Sequence, residues 1–169
     1  MSKPIRPPRS GRRVRRAGEA LVSNRVLGLA TLLRRSANLL YRRELGLCEV
    51  EWRILAIVGD HAPLSLGTLV EVLGLDKGQL SRNVSALVRR RILARIPDPQ
   101  NGREPQIVLT VHGKETFATL IALALERNRS LVAGLSRAEV AALLTVLDRL
   151  LVNAKVMLAD GQAEARRSS

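Results

Sequence analysis

Aromatic side chains are almost missing from this chain. Its 169 residues include one Tyr, one Trp and one Phe (Tyr41, Trp52 and Phe117), which leaves Leu, Val and Ala to fill the core. Such a composition favours helices. A lone cysteine, Cys48, excludes a disulfide within the chain and fits a reducing compartment, so a cytoplasmic location is expected. The two histidines, His61 and His112, have no second ligand at helical spacing, so no metal site is expected. No Ser or Cys stands with a base in a recognisable nucleophile context, and no acidic cluster is present to hold catalytic metals. An enzyme is not expected, nor a cofactor. Long apolar runs are also lacking: VLGLATLL (26–33) is bounded by Arg25 and Arg34, too short for a membrane span. No apolar segment of the secretory kind follows the basic start of the chain.

Charge of one sign is abundant. Lys and Arg number 28 against 15 Asp and Glu, a net +13. The excess is concentrated in two places. Residues 1–18 (MSKPIRPPRSGRRVRRAG) hold seven basic residues and no acid, and read as a disordered basic arm. Residues 75–103 hold seven more (Lys77, Arg82, Arg89, Arg90, Arg91, Arg95, Arg103) against Asp76 and Asp98. Cations gathered this way are an electrostatic footprint for nucleic acid or, with less support, for an anionic membrane surface.

Along the chain, Glu19 to Leu45 reads as one leucine-rich helix closed by Gly46, and Val50 to Val58 as a second, stopped near Gly59 with Pro63 beyond. In SLGTLVEVLG (65–74), Ser65 is a cap, Leu66, Leu69, Val70 and Leu73 fall on one face, and Gly74 ends a short helix. Asp76 opens the next helix, 77–91, with Gln79 at capping-box spacing. Two short amphipathic helices separated only by Gly74 and Leu75 form a helix-turn-helix, whose second helix can enter a major groove. LARIP and QIVLT, on either side of DPQNGREP, predict a β-hairpin. Residues 113–133 and 137–158 then read as long helices, the last opened by a Ser136-x-x-Glu139 capping box.

At 100° per residue, Leu80, Val84, Leu87, Val88 and the stem of Arg91 gather on one side of helix 77–91. Gly78, Arg82, Ser85, Ala86 and Arg89 lie roughly opposite. Small residues around Arg82 would let it approach base edges closely, and Gln79 and Arg82 are the types that pair with adenine and guanine. Capping is the alternative use of Gln79. Arg103, near the hairpin tip, could enter a minor groove. Arg89, Arg90 and Arg95 are read as phosphate contacts or solvated charges.

The run SLGTLVEVLGLDKGQLSRNVSALVRRRILARIPDPQNGREPQIVLTVHGKE, with LGLCEVEWRIL before it, resembles the winged helix-turn-helix of MarR-family transcriptional regulators. The resemblance covers about Leu45 to Glu115. It implies a mainly α fold with a minor β part: a basic arm (1–18), an N-terminal dimerisation helix (19–45), a winged lobe (46–112), C-terminal dimerisation helices (113–160) and a flexible tail (161–169). It further implies a homodimer on pseudo-palindromic double-stranded DNA, modulated by a small aromatic or phenolic effector. The candidate DNA contacts are Lys77, Gly78, Gln79, Ser81, Arg82, Ser85 and Arg89 in the recognition helix. Arg95 and Arg103 are candidates in the wing, and Ser65 is a phosphate contact at the start of the preceding helix. Two positions depart from the family pattern: the wing's Asp-x-Arg reads Asn101-Gly102-Arg103, and Cys48 stands where Thr or Ser is usual. A thiol at a helix start can act as an oxidation sensor; the simpler reading of Cys48 is a small cap-position residue. The rival to sequence-specific regulation is an architectural protein that coats DNA through its arm and basic patches.

Overall fold

A computed structural model describes residues 21–98 and 104–167. The basic arm 1–18 and Arg103 lie outside the described residues. The elements run α1 (Val22–Leu45), α2 (Glu49–His61), β1 (Leu64–Ser65), α3 (Leu66–Leu73), α4 (Lys77–Arg89), β2 (Leu93–Ile96), β3 (Gln106–Leu109), α5 (Val111–Leu131) and α6 (Arg137–Arg167). The described chain divides between Ile121 and Ala122 into two compact units.

In the first unit the apolar faces of α2, α3 and α4 close over the sheet. Ile54, Leu55 and Val58 of α2, Leu69 of α3, and Leu80, Val84 and Leu87 of α4 are wholly buried. Ile92, Leu93 and Ile107 complete this core from the hairpin. α1 joins it only through its C-terminal half. Ala37 and Tyr41 are buried, the Trp52 indole donates to Asn38 Oδ1 at 2.8 Å, and Asn38 Nδ2 donates to Glu49 Oε2 at 2.6 Å. The Tyr41 and Trp52 rings lie 5.2 Å apart in a tilted arrangement.

The hairpin forms as the sequence predicts, with Leu93 opposite Leu109 and Ile96 opposite Gln106. A third strand, β1, is added: Leu64 and Ser65 pair with Ile107 and Gln106, giving the antiparallel order β1-β3-β2. Two residues carry no alternation to read, so this strand has no sequence signature.

Other boundaries differ from expectation for physical reasons. Gly59 does not stop α2, which continues to His61. A Cβ at Gly59 would stand 2.3 Å from the Phe117 ring, so glycine here serves close packing rather than termination. The helix ends where Pro63 forces Ala62 into extended backbone, φ −59° and ψ 146°. α4 ends at Arg89 rather than residue 91. The Arg91 N–H donates to Val88 O and the Ile92 N–H to Leu87 O, with Arg91 at φ +55°: a left-handed closure that takes the Arg91 stem off the helix's apolar side. α6 continues through residues 161–167, where a tail is expected from sequence. One glycine at 161, among Gln162, Ala163, Glu164 and Ala165, is too weak a break in a run of good helix formers.

In the second unit the Ser136 cap is formed in both directions. The Glu139 N–H donates to Ser136 Oγ at 3.2 Å, and the Ser136 N–H and hydroxyl donate to Glu139 Oε2 at 2.8 and 2.7 Å. These bonds, the main-chain one first, hold the Glu139 carboxyl below the ordinary carboxylate value. No residue of α6 is buried.

Candidate nucleic-acid interface

The turn between α3 and α4 takes its shape from Gly74, whose φ of +62° is a conformation other residues adopt at a cost. Its N–H donates to Val70 O, and the guanidinium of Arg53 donates to Leu73 O at 3.2 Å, closing the end of α3 from the side. Asp76 Oδ1 then accepts the Gln79 N–H at 2.9 Å and starts α4. Capping therefore engages the main chain of Gln79, and its side chain is exposed.

With Leu80, Val84 and Leu87 buried, the opposite side of α4 is open: Lys77, Gly78, Gln79, Arg82 and Arg89 are all exposed, and Ser81 is half-buried. A Cβ on Gly78 would stand 3.5 Å from Arg82 Nη1 and 3.1 Å from Asp76 Oδ1. Glycine at 78 therefore leaves the Arg82 guanidinium room beside the helix. Ser85 is half-buried because Arg95, reaching from β2, donates to Ser85 Oγ at 2.9 Å. The strand and the helix thus bring Arg82, Ser85 and Arg95 onto one face. At the open end of the hairpin, Gln106 Nε2 donates to Asp98 Oδ2 at 2.9 Å.

Ser65 is the N-cap of α3. Its hydroxyl oxygen accepts the Thr68 N–H at 3.0 Å and lies 3.1 Å from the Thr68 hydroxyl. A residue not singled out from the sequence approaches the same helix end: Glu104 Oε2 lies 3.8 Å from where a Cβ on Gly67 would stand. Glu104 follows the undescribed wing tip, and nothing in the spacing predicts where it turns. Asn83 is a second residue the sequence did not flag. Its Nδ2 donates to Gln79 O at 2.9 Å, and its Oδ1 lies 3.7 Å from the exposed Cys48 thiol. Cys48 is the N-cap of α2, and Glu51 already places a carboxylate there, accepting the Cys48 N–H at 2.9 Å.

Arg90 corrects the sequence reading. Its side chain is 38% exposed, yet its guanidinium is not free, because it turns to Leu45 O, Gly46 O and Glu51 Oε2. Among the described residues no cluster of His, Cys, Asp and Glu could hold a metal, and no helix is long and apolar enough to cross a membrane.

Residues 45–104 match the family model described as MarR family. The winged helix-turn-helix of this chain is similar to that of the MarR family. Solved MarR-type structures superpose well beyond that lobe. A MarR/EmrR family transcriptional regulator from Acinetobacter sp. ADP1 is 26% identical, with a TM-score of 0.68 over 79% of this chain and 94% of its own. The PcaV transcriptional regulator from Streptomyces coelicolor, in complex with its natural ligand, is 26% identical, with a TM-score of 0.58 over 75% and 91% of the two chains. A MarR family regulator from Listeria monocytogenes complexed with 26mer DNA is 19% identical, with a TM-score of 0.70 over 79% and 88%, and shows the shared fold. A comparison with curated proteins finds no match. MarR-family proteins are transcription regulators with a winged-helix DNA-binding fold, which gives the open face of α4 its context.

Proposed function

We propose that the chain is a homodimeric regulator of transcription that reads a pseudo-palindromic operator in double-stranded DNA. α4 lies in the major groove, with Gln79 and Arg82 at base edges and Lys77, Gly78, Ser81, Ser85 and Arg89 lining the approach. The observation that carries this reading is the exposed face of α4 with Arg82 beside a glycine, backed by Arg95 through Ser85. Arg95 and Arg103 serve the wing, and Ser65 offers the start of α3 to a phosphate. The Listeria monocytogenes structure complexed with DNA has the same fold.

Dimerisation is supported by apolar side chains that stay exposed on the single chain. They include Val22, Leu27 and Leu32 on α1, and Leu144, Leu151 and Met157 on α6. A second copy would bury them and fix two recognition helices about one helical turn of DNA apart, ~34 Å. A small aromatic or phenolic effector would release DNA only through its different affinities for two arrangements of the dimer. The complex of PcaV with its natural ligand supports this step.

Selection of bound sequences from a random duplex pool tests the proposal. The expected result is a two-fold-symmetric consensus. Recovery of duplexes without any shared sequence would favour the architectural coat instead.

A further inference from the structure

Three helix ends meet at one guanidinium. Arg90 is the C-terminal cap of α4, and it crosses to the last carbonyls of α1: Nη2 donates to Leu45 O at 3.1 Å and Nη1 to Gly46 O at 3.2 Å. Nη1 also lies 3.4 Å from Glu51 Oε2. That carboxylate accepts the Cys48 N–H that opens α2 and is only 12% exposed. Carbonyls at a helix C-terminus carry partial negative charge and no partner within the helix, so a cation with several donors is well matched to them. Arginine can bond two carbonyls and a carboxylate together because its donors are spread over a rigid plane; a lysine ammonium concentrates its charge at one point. The backbone just beyond is held too, because Arg91 is left-handed and the Thr110 hydroxyl donates to its carbonyl.

We propose that Arg90 is a positioning residue. It ties the C-terminal end of the recognition helix to the end of α1 and so helps set the separation of the two recognition helices in the dimer. This inference rests on the proposed function for its DNA consequence, and the tie itself lies within one chain. All three of Arg89, Arg90 and Arg91 are exposed, Arg90 at 38%, and it is the bonds to Leu45 O, Gly46 O and Glu51 that set Arg90 apart. Three consecutive arginines thus divide their work: the outer two are free to meet phosphate, and the middle one, though partly open to solvent, has its guanidinium bonded to the fold.

Arg90→Ala, Arg90→Lys and Glu51→Gln, in the full-length protein, test this. The probes are the consensus duplex selected by the wild type and the same duplex with one base pair inserted at its centre. If loosening leaves about one molecule in ten with correctly separated helices, Arg90→Ala weakens consensus binding about tenfold. The penalty for the inserted base pair should shrink, while the salt slope should match the wild type. Arg90→Lys should resemble the alanine variant. Glu51→Gln should relax spacing in the same direction by less, and it serves as the test should Arg90→Ala fail to fold. Rescue by Arg90→Lys, with a salt slope in Arg90→Ala shallower by about 0.9 per phosphate no longer neutralised, would identify a phosphate-binding residue and overturn the proposal.

The tie is also read without DNA. Spin labels at Arg35→Cys and Lys77→Cys in a Cys48→Ser background, diluted with unlabelled chain, should give a broader distance distribution once Arg90→Ala is added. An unchanged distribution overturns the proposal. If the wild type selects no duplex, the functional reading fails, and the label distances still decide whether the tie exists.

Discussion

Helices α4 and α6 both space leucines and valines at helical intervals, yet their surroundings differ completely. On α4, Leu80, Val84 and Leu87 are each 0% exposed, packed under α2, α3 and the sheet. On α6, Leu151 is 59% exposed, Met157 73%, and no residue is buried. The pattern reveals a helix with something to bury; it does not name the partner. For α4 the partner is its own lobe, which leaves the other face exposed. The apolar side chains of α6 go round more of the helix than one stripe: Leu143, Leu144, Val146, Leu151 and Leu158 are all exposed, an arrangement suited to a second chain.

Cutting into each helix should therefore give different failures. Leu87→Ala leaves a cavity in the core and should cost the winged lobe about 2–5 kcal/mol, read as a large fall in the midpoint of denaturant unfolding. Leu151 is 59% exposed on the single chain, so Leu151→Asp disturbs little buried surface there. The lobe should keep its stability to within about 0.5 kcal/mol, while sedimentation shows self-association weakened roughly tenfold or more. A lobe destabilised by Leu151→Asp as much as by Leu87→Ala would erase the distinction between the two helices.

Smaller effects sharpen it at the helix ends. Glu104 brings a carboxylate to the start of α3, where a DNA phosphate would otherwise have the helix end to itself. Glu104→Gln should raise affinity for duplex about two- to fivefold, the equivalent of ~0.3–1 kcal/mol at a helix terminus. An unchanged affinity would remove Ser65 and the α3 N-terminus from the interface. At the start of α6, Glu139 titrates below the ordinary carboxylate value because of Ser136. Its cap is fully formed above the unfolded-state value and is lost as pH falls through the lower native one. Glu139→Gln should flatten that acid-side loss of α6 helicity, followed by circular dichroism, and leave operator binding at neutral pH unchanged.

Most of the lobe was legible because its signals are local. The Asp76 cap, the Leu80/Val84/Leu87 spacing, Gly74 at the turn and the two runs around the wing each dictate structure within a few residues. What escaped depends on distant partners. Gly59 reads as a stop until Phe117 is placed against it, Leu64 and Ser65 become a strand only beside β3, and Glu104 comes near α3 because β3 pairs with β1. The triplet Arg89-Arg90-Arg91 looks uniform in sequence. Its members part because the backbone turns left-handed at Arg91 and the carbonyls of Leu45 and Gly46 lie within reach of Arg90 alone. The open face of α4 was legible too, although the bond from Arg95 that half-covers Ser85 was not.

Whether that face of α4 reads bases is tested most directly by Arg82→Ala, with affinity measured on the selected consensus and on a random duplex at one salt concentration. Losing a bidentate base pairing should cost about 1–3 kcal/mol of discrimination, so consensus binding should fall about five- to 150-fold further than random-duplex binding. Equal losses on the two duplexes would mean that Arg82 touches only phosphate, and would contradict the assignment of α4 as the reading helix.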